Sequence, residues 1–196
     1  MNFDITKDTP TRDKIILSAA GLICSQGFNY TSISDIAKKI KISKGTIHHY
    51  FPSKELLIAE IASLVFGNIL KKLQEKIKTL EKVNNLELIV FEVAEILTTD
   101  SEFVRLKIFL LQEALSGDEK LTGLFSGFYN SVSELLGQKL KKVKIINGES
   151  AAITSSILIH LEGAAFLSTF NDTIYDSKSI TNFLIQALQK KNKTKK

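Results

Sequence analysis

Apolar residues recur every three or four positions along almost the whole chain, and no stretch alternates between apolar and polar residues for long. A spacing of three and four places apolar side chains on one face of an α-helix, whereas a half-buried strand needs a spacing of two. The chain contains only two prolines, Pro10 and Pro52, so few positions forbid a helix. The pattern predicts an all-α protein.

The N-terminal segment predicts one helix that ends at Gly27. Thr9 can act as its N-cap, with Pro10 at the first helical position, where the missing N–H of proline costs little. The apolar face of this helix comprises Ile15, Ile16, Ala19, Leu22 and Ile23.

Two short helices are predicted next. Ser32 and Asp35 have the spacing of a capping box, in which a hydroxyl and a carboxylate each bind a backbone N–H of the first turn. Ser43 can cap a third helix that runs through Tyr50, and Pro52 prevents its continuation.

Longer helices follow. Ser53 can cap a fourth helix, from Lys54 to about Leu80, in which apolar residues hold one face for several turns. Polar and glycine breaks then predict helices over residues 85–98, 101–116, 119–143, 148–170 and 178–190.

The second and third helices are typical of a helix-turn-helix motif, because they are short, have apolar inner faces and are joined by a brief turn at residues 41–42. Only Ile47 and Phe51 are evident apolar anchors in the third helix. Its other side chains offer hydrogen-bond donors, a cation and flat rings, as base edges and phosphates require. They are Ser43, Lys44, Gly45, Thr46, His48, His49 and Tyr50, of which Gly45 permits close backbone approach.

Residues 27–57, GFNYTSISDIAKKIKISKGTIHHYFPSKELL, resemble the DNA-binding segment of the TetR/AcrR family of transcriptional regulators almost throughout. The resemblance rests on Thr31, Ile36-Ala37, Ser43-Lys44-Gly45-Thr46, Tyr50-Phe51 and Ser53-Lys54-Glu55-x-Leu57. It implies that Lys44, Thr46 and His48 face bases or nearby backbone. It also implies that phosphates are held mainly by Thr31, Ser43, His49, Tyr50 and Lys54.

Two residues depart from the family pattern. The family usually has Tyr at the position of His48, which leaves the operator sequence open. It usually has Gly in the turn at the position of Lys41. A left-handed lysine would cost about 1 to 2 kcal/mol, so we expect this turn to have a different backbone shape.

The resemblance further implies a three-helix DNA-binding head at residues 1–53 and a C-terminal helical effector and dimerisation domain at 54–190. Residues 191–196 form a basic tail. The expected function is that of a homodimeric, sequence-specific transcriptional regulator. It acts as a repressor that a largely apolar or amphipathic small molecule releases from palindromic double-stranded operator DNA.

Phenylalanine is frequent in the C-terminal part, with sparse polar groups between apolar runs, as in many ligand pockets. The alternative is that these rings are simply core and the polar groups surface. The candidate pocket residues are Phe66, Phe103, Arg105, Gln112, Phe125, Phe128, His160 and Phe166. The candidate dimer interface comprises residues 151–170, where Gly163-Ala164-Ala165 allows close helix approach, and residues 180–188.

The net charge of +5 is uneven. Residues 1–54 and the tail are basic, whereas the remainder is net acidic, which fits a polyanion-binding head on a different body. The single cysteine, Cys24, excludes an intramolecular disulfide and is expected in the core. A secretory signal pattern and a run of about 18 apolar residues are both lacking, so we expect a cytoplasmic protein without a membrane segment.

Other functions fit the residues less well. His48 and His49 point in different directions on a helix and lack further ligands nearby, so no metal site or cofactor is expected. His160 and Glu162 diverge similarly, and the sequence has no nucleophile elbow or phosphate loop, so we expect no enzyme. Without the surrounding motif, a solvated face would be the better interpretation of the lysines at positions 38, 39, 41, 44 and 54. An architectural DNA-binding protein without an effector remains open.

Overall fold

The computed structural model describes residues 5–98, 100–143, 150–170, 179 and 182–186. Within these ranges the chain forms helices and no strands, as the apolar spacing predicts. The helices are α1 (Thr11–Gln26), α2 (Ile33–Ile40), α3 (Lys44–Tyr50), α4 (Lys54–Thr79), α5 (Leu86–Thr98), α6 (Ser101–Leu115), α7 (Glu119–Lys141) and α8 (Ser150–Ser168). The helix predicted at 178–190 falls largely outside the described residues.

The chain divides into two compact units. The first unit comprises the described residues up to Phe66 together with Arg105–Ser126, and its core includes the fully buried Ile15, Ile47 and Ile61. In this unit α1 packs against α2, and α2 packs against α3.

The second unit comprises Gly67–Val104 and the described residues from Gly127 onward. In it α5 packs against α8, and its core includes the buried Ile89, Leu97 and Ile157.

Short-range side-chain caps start several helices where the sequence predicts them. The Ser32–Asp35 capping box is present at α2, with both reciprocal hydrogen bonds formed. Asn85, Asp100 and Asp118 accept backbone N–H bonds of about 3 Å at the starts of α5, α6 and α7. These polar breaks therefore act as helix starts.

The predicted cap of α1 is wrong. The helix begins at Thr11, its N-cap is Pro10, and no side-chain cap bond is present. The hydroxyl of Thr9 instead binds the backbone N–H of Thr6 at 3.0 Å, within the preceding turn. Gly27 ends α1 as predicted, with φ at 86°.

The expectation of a different backbone shape at Lys41 is also wrong. Lys41 adopts the left-handed conformation, with φ 58° and ψ 46°. Its N–H binds the carbonyl of Lys38 at 3.3 Å, and the N–H of Ile42 binds the carbonyl of Ala37 at 3.0 Å. This pair of bonds is a Schellman motif, which satisfies the terminal carbonyls of α2 and offsets the strain.

Among the described helices, α8 is the one long and apolar enough to cross a membrane by length and composition. It buries a face that includes Ile157 and Leu161 within the second unit, and it carries His160 and Glu162. It is therefore a packed helix of that unit.

Candidate nucleic-acid interface

The α2–α3 pair forms a helix-turn-helix whose inner face is anchored in the first unit. Ile36 and Ala37 of α2 are buried, and Ile47 of α3 is fully buried. Phe51, which follows α3, is buried as well. These apolar contacts leave the opposite face of α3 free to meet another molecule.

Most of the predicted contact residues lie on that exposed face. Lys44, His48, His49 and Tyr50 are exposed, and the His49 and Tyr50 rings meet edge to face at 5.5 Å. Gly45 is exposed too, and an added Cβ there would meet only the hydroxyl of Ser43 within 4 Å. The face therefore combines cationic and hydrogen-bonding groups with space for close approach.

The start of α3 is fixed by side-chain hydrogen bonds. The Ser43 hydroxyl accepts the N–H of Thr46 at 3.0 Å, and the two hydroxyls share a further bond of 2.9 Å. This N-cap confirms the predicted start of the helix and holds Thr46 in its first turn.

Thr31 and Lys54 differ from the rest of the predicted set, because both have partners inside the first unit. Thr31 is buried, and its hydroxyl donates to the carbonyl of Gly27 at 2.8 Å. The Lys54 ammonium donates to the carbonyl of Phe28 at 3.3 Å and lies 3.8 Å from the centre of the Phe28 ring.

Arg12 forms a second cationic link at the end of α3. Its guanidinium pairs with the carboxylate of Glu60 at 2.6 Å and lies 5.5 Å from the Phe51 ring centre. Sequence reasoning missed Arg12, Phe28 and Glu60, since no local spacing signals a contact between distant segments.

Exposed lysines surround the α2–α3 turn. Lys38, Lys39, Lys41 and Lys44 are all exposed. Hydrogen bonds from Ser32 hold the pKa of Asp35 below its usual value, with a smaller effect from Lys38 and Lys44. The capping box thus keeps one carboxylate charged among these cations.

The candidate pocket residues fall in both units. In the first unit the Phe66 and Phe125 rings meet edge to face at 4.9 Å, whereas Arg105 and Gln112 are exposed. Both rings of that pair are buried.

In the second unit Phe103 and Phe128 are buried and Phe166 is 46% exposed. His160 is half-buried, and its Nε2 atom is buried without a hydrogen-bond partner. The structure thus places inward-facing rings in both units.

A half-buried polar pair also lies in the second unit, between α7 and α8. The Tyr129 hydroxyl hydrogen-bonds the Glu162 carboxylate, and burial together with this carboxylate raises the pKa of Tyr129. Tyr129 was absent from the predicted set. The sequence offers no signal for it, because the pair joins residues of two helices.

Comparison with known proteins agrees with this geometry. Residues 15–61 match the model described as bacterial regulatory proteins, tetR family. The chain is 23% identical over 184 residues to the fatty acid metabolism regulator protein of Bacillus subtilis, covering 91% of this chain and 94% of that one.

Two solved structures share the fold. A transcriptional regulator from Rhodococcus sp. Rha1 has a TM-score of 0.81 at 14% identity, covering 92% of this chain and 97% of that one. The regulator FadR of Bacillus subtilis in complex with stearoyl-CoA has a TM-score of 0.68 at 22% identity, covering 89% and 96%.

The anchored helix-turn-helix and its exposed polar face define a DNA-binding transcriptional regulator. Through residues 15–61 the chain is similar to the TetR family of bacterial regulatory proteins.

Proposed function

We propose that the protein is a homodimeric cytoplasmic repressor in which α3 of each protomer enters the major groove of a palindromic operator. The observation that carries this proposal is the exposed polar face of α3 on the buried Ile47 anchor. One short recognition helix touches too few bases to specify a genomic site, which favours two half-sites. Residues 1–53 serve as the reading head, and 54–190 serve effector binding and dimerisation.

The proposed DNA contacts fall into two groups, those to base edges and those to phosphates. Lys44, Thr46 and His48 lie at or near the base edges, and Gly45 permits close approach of the backbone. The phosphates are held by Ser43, His49 and Tyr50, together with three exposed lysines around the α2–α3 turn, Lys38, Lys39 and Lys41. The basic tail, residues 191–196, lies outside the described residues.

The proposed dimer interface is the exposed stripe of α8. Ile159 and Phe166 are 74% and 46% exposed, and the half-buried Gly163 lies between them at intervals of four and three, while the exposed Phe170 follows just beyond the end of the helix. This spacing keeps the stripe on one side of the helix, as in paired helices. Ala164 and Ala165 of the predicted small-residue patch are buried within the protomer, so Gly163 is the residue that permits close approach.

The proposed effector is an amphipathic molecule bound in the second unit. Stearoyl-CoA, the ligand of the B. subtilis FadR structure, has this character. The buried rings of Phe103 and Phe128 suit an apolar portion, and the Tyr129–Glu162 pair with His160 suits a polar group. The effector lowers operator affinity only if it binds more tightly to the dimer conformation in which the spacing of the two DNA-binding heads does not match the two half-sites of the operator.

The test is operator affinity measured with and without stearoyl-CoA and shorter acyl-CoAs. An acyl-CoA that raises the melting temperature is expected to weaken operator binding at least tenfold, which needs a coupling of about 1.4 kcal/mol. Tyr129→Phe is expected to reduce this response, whereas Ser131→Ala, on the same helix, retains it. Stabilisation by acyl-CoA without any change in operator affinity contradicts the release mechanism and favours a DNA-binding protein without induction.

A further inference from the structure

Lys139 connects α7 to the end of α4 inside the second unit. It lies in the last turn of α7 and is only 4% exposed, so its charged group is buried. Its ammonium donates to the backbone carbonyls of Leu80, Glu81 and Val83, at 3.0 Å for Glu81 and 2.7 Å for Val83. These three residues lie just beyond α4, which ends at Thr79. One buried side chain therefore holds the C-terminal end of another helix.

The position suits a cation. Carbonyls at the end of an α-helix lack partners within the helix, and the helix dipole makes this end electronegative. Burial of an ammonium is costly unless acceptors replace its water, and here three carbonyls do so. Lys142, three residues further along the chain, is exposed and provides a comparison.

The Lys139 contact differs in kind from the apolar contact between the same two helices. In the first unit α4 and α7 meet through the buried rings of Phe66 and Phe125, whose centres are 4.9 Å apart. Apolar packing is non-directional and tolerates small displacements, whereas hydrogen bonds are directional. Three hydrogen bonds from one ammonium therefore fix the end of α4 in register with α7.

These two helices also carry parts of both proposed sites. α4 begins at Lys54, shortly after the recognition helix α3, and α7 carries Phe128 and Tyr129, two of the proposed effector contacts. Tyr129 and Lys139 are ten residues apart on α7, which is about 15 Å along the helix axis. A helix is a rigid element over this length, so a displacement of α7 at Tyr129 also moves Lys139.

We propose that Lys139 is a positioning residue for the effector response, which holds the end of α4 to α7 so that a displacement of α7 by the effector is transmitted to α4. The inference rests on the proposed function, because it requires an effector in the second unit and an operator read by α3. Without the three hydrogen bonds, α7 can move while α4 keeps its place. Loss of Lys139 is therefore expected to uncouple the two binding events and to leave each of them intact.

The experiment uses the full-length dimer, stearoyl-CoA and the duplex that the wild type selects from a random pool. Duplex affinity is measured with and without stearoyl-CoA, and stearoyl-CoA affinity is measured with and without the duplex. In the wild type each ligand is expected to weaken the other about tenfold, because coupling between two sites is reciprocal. In Lys139→Met, which removes the charge and the donors, both effects are expected to fall below about twofold. Its affinity for each ligand alone is expected to stay near the wild-type value.

Three further variants accompany Lys139→Met. Lys139→Arg keeps a cation with several N–H donors and is expected to retain most of the response. Lys142→Met makes the same chemical change at the exposed lysine and is expected to respond as the wild type does. If Lys139→Met does not fold, Lys139→Gln, whose amide still offers two N–H donors, is compared with Lys139→Arg and is expected to respond less.

Three results would overturn the inference. One is a lower melting temperature of Lys139→Met with the full effector response, which indicates a purely structural contact. Another is an equal loss of response in Lys142→Met, which indicates an effect of surface charge. The third is a loss of stearoyl-CoA binding itself in Lys139→Met. A wild type whose duplex affinity stearoyl-CoA leaves unchanged would overturn the proposed effector function together with the inference, and is thereby distinguishable from these three.

Discussion

At the scale of single residues, Lys41 shows how the protein tolerates the free-energy cost of a left-handed backbone conformation. It is the one non-glycine residue with a positive φ among the described residues. The left-handed conformation brings Cβ close to the following carbonyl, at a cost of about 1 to 2 kcal/mol. The Schellman hydrogen bonds that end α2 require this conformation whichever residue occupies the position.

Lys41→Gly is therefore expected to raise the free energy of unfolding by up to about 1 kcal/mol, because glycine adopts a positive φ freely. The greater entropy of glycine in the unfolded chain offsets part of the gain. Lys39→Gly, at an exposed position inside α2, is the matched control and is expected to lower the free energy by about 1 kcal/mol. Urea denaturation measures both. Equal destabilisation by the two substitutions would show that Lys41 is unstrained.

At the scale of helices, the capping box makes the start of α2 sensitive to acid. Asp35 accepts the N–H of Ser32 at 3.0 Å and its hydroxyl at 2.5 Å, and these bonds hold the pKa of Asp35 below its ordinary 3.8. Because the pKa of Asp35 is lower in the folded protein than in the unfolded chain, its carboxylate contributes fully to the free energy of unfolding at pH values above the ordinary pKa. This contribution is lost as the pH falls through the lower, folded value.

The loss of stability between pH 6 and pH 3 is accordingly expected to be smaller in Asp35→Asn than in the wild type, and Asp35→Asn is less stable at pH 6. Asp8→Asn, at an exposed turn before α1, is expected to retain the wild-type pH dependence. Chemical denaturation at both pH values provides the comparison. An unchanged pH dependence in Asp35→Asn would exclude the carboxylate as its source.

Helix starts and long-range contacts differ in how far the sequence predicts them. Ser32, Ser43, Asp100 and Asp118 are predictable caps or breaks because a capping side chain binds backbone within three residues of itself. Lys139 is not predictable in this way. It is buried on α7, and its ammonium binds the carbonyls of residues 80, 81 and 83, beyond the end of α4.

The same distinction applies to the candidate site. The exposed face of α3 follows from the apolar anchors and the cap, which are all local. The partners of Lys54 and Tyr129 depend on how separate helices pack, and residue spacing carries no information about that. The predicted pocket set consequently combines buried rings with exposed residues such as Arg105 and Gln112.

At the scale of the whole molecule, the proposed dimer depends on the exposed stripe of α8. Ile159→Glu is expected to give a monomer, because two buried carboxylates at a two-fold interface would lie unpaired. Leu88→Glu alters an exposed leucine of α5 and is expected to remain a dimer. Light scattering at micromolar concentration distinguishes 21.8 kDa from twice that mass. If Ile159→Glu stays dimeric, the interface lies elsewhere.

Selection of duplexes from a random pool, followed by footprinting on the selected sequence, measures directly whether two copies of α3 read a two-fold symmetric operator. We expect a two-fold symmetric sequence with two protected major-groove segments, their centres about 10 base pairs or a multiple apart. We also expect that His48→Tyr selects a different half-site, because His48 is exposed on α3. Binding that is indifferent to sequence, or protection of a single half-site, would contradict the account.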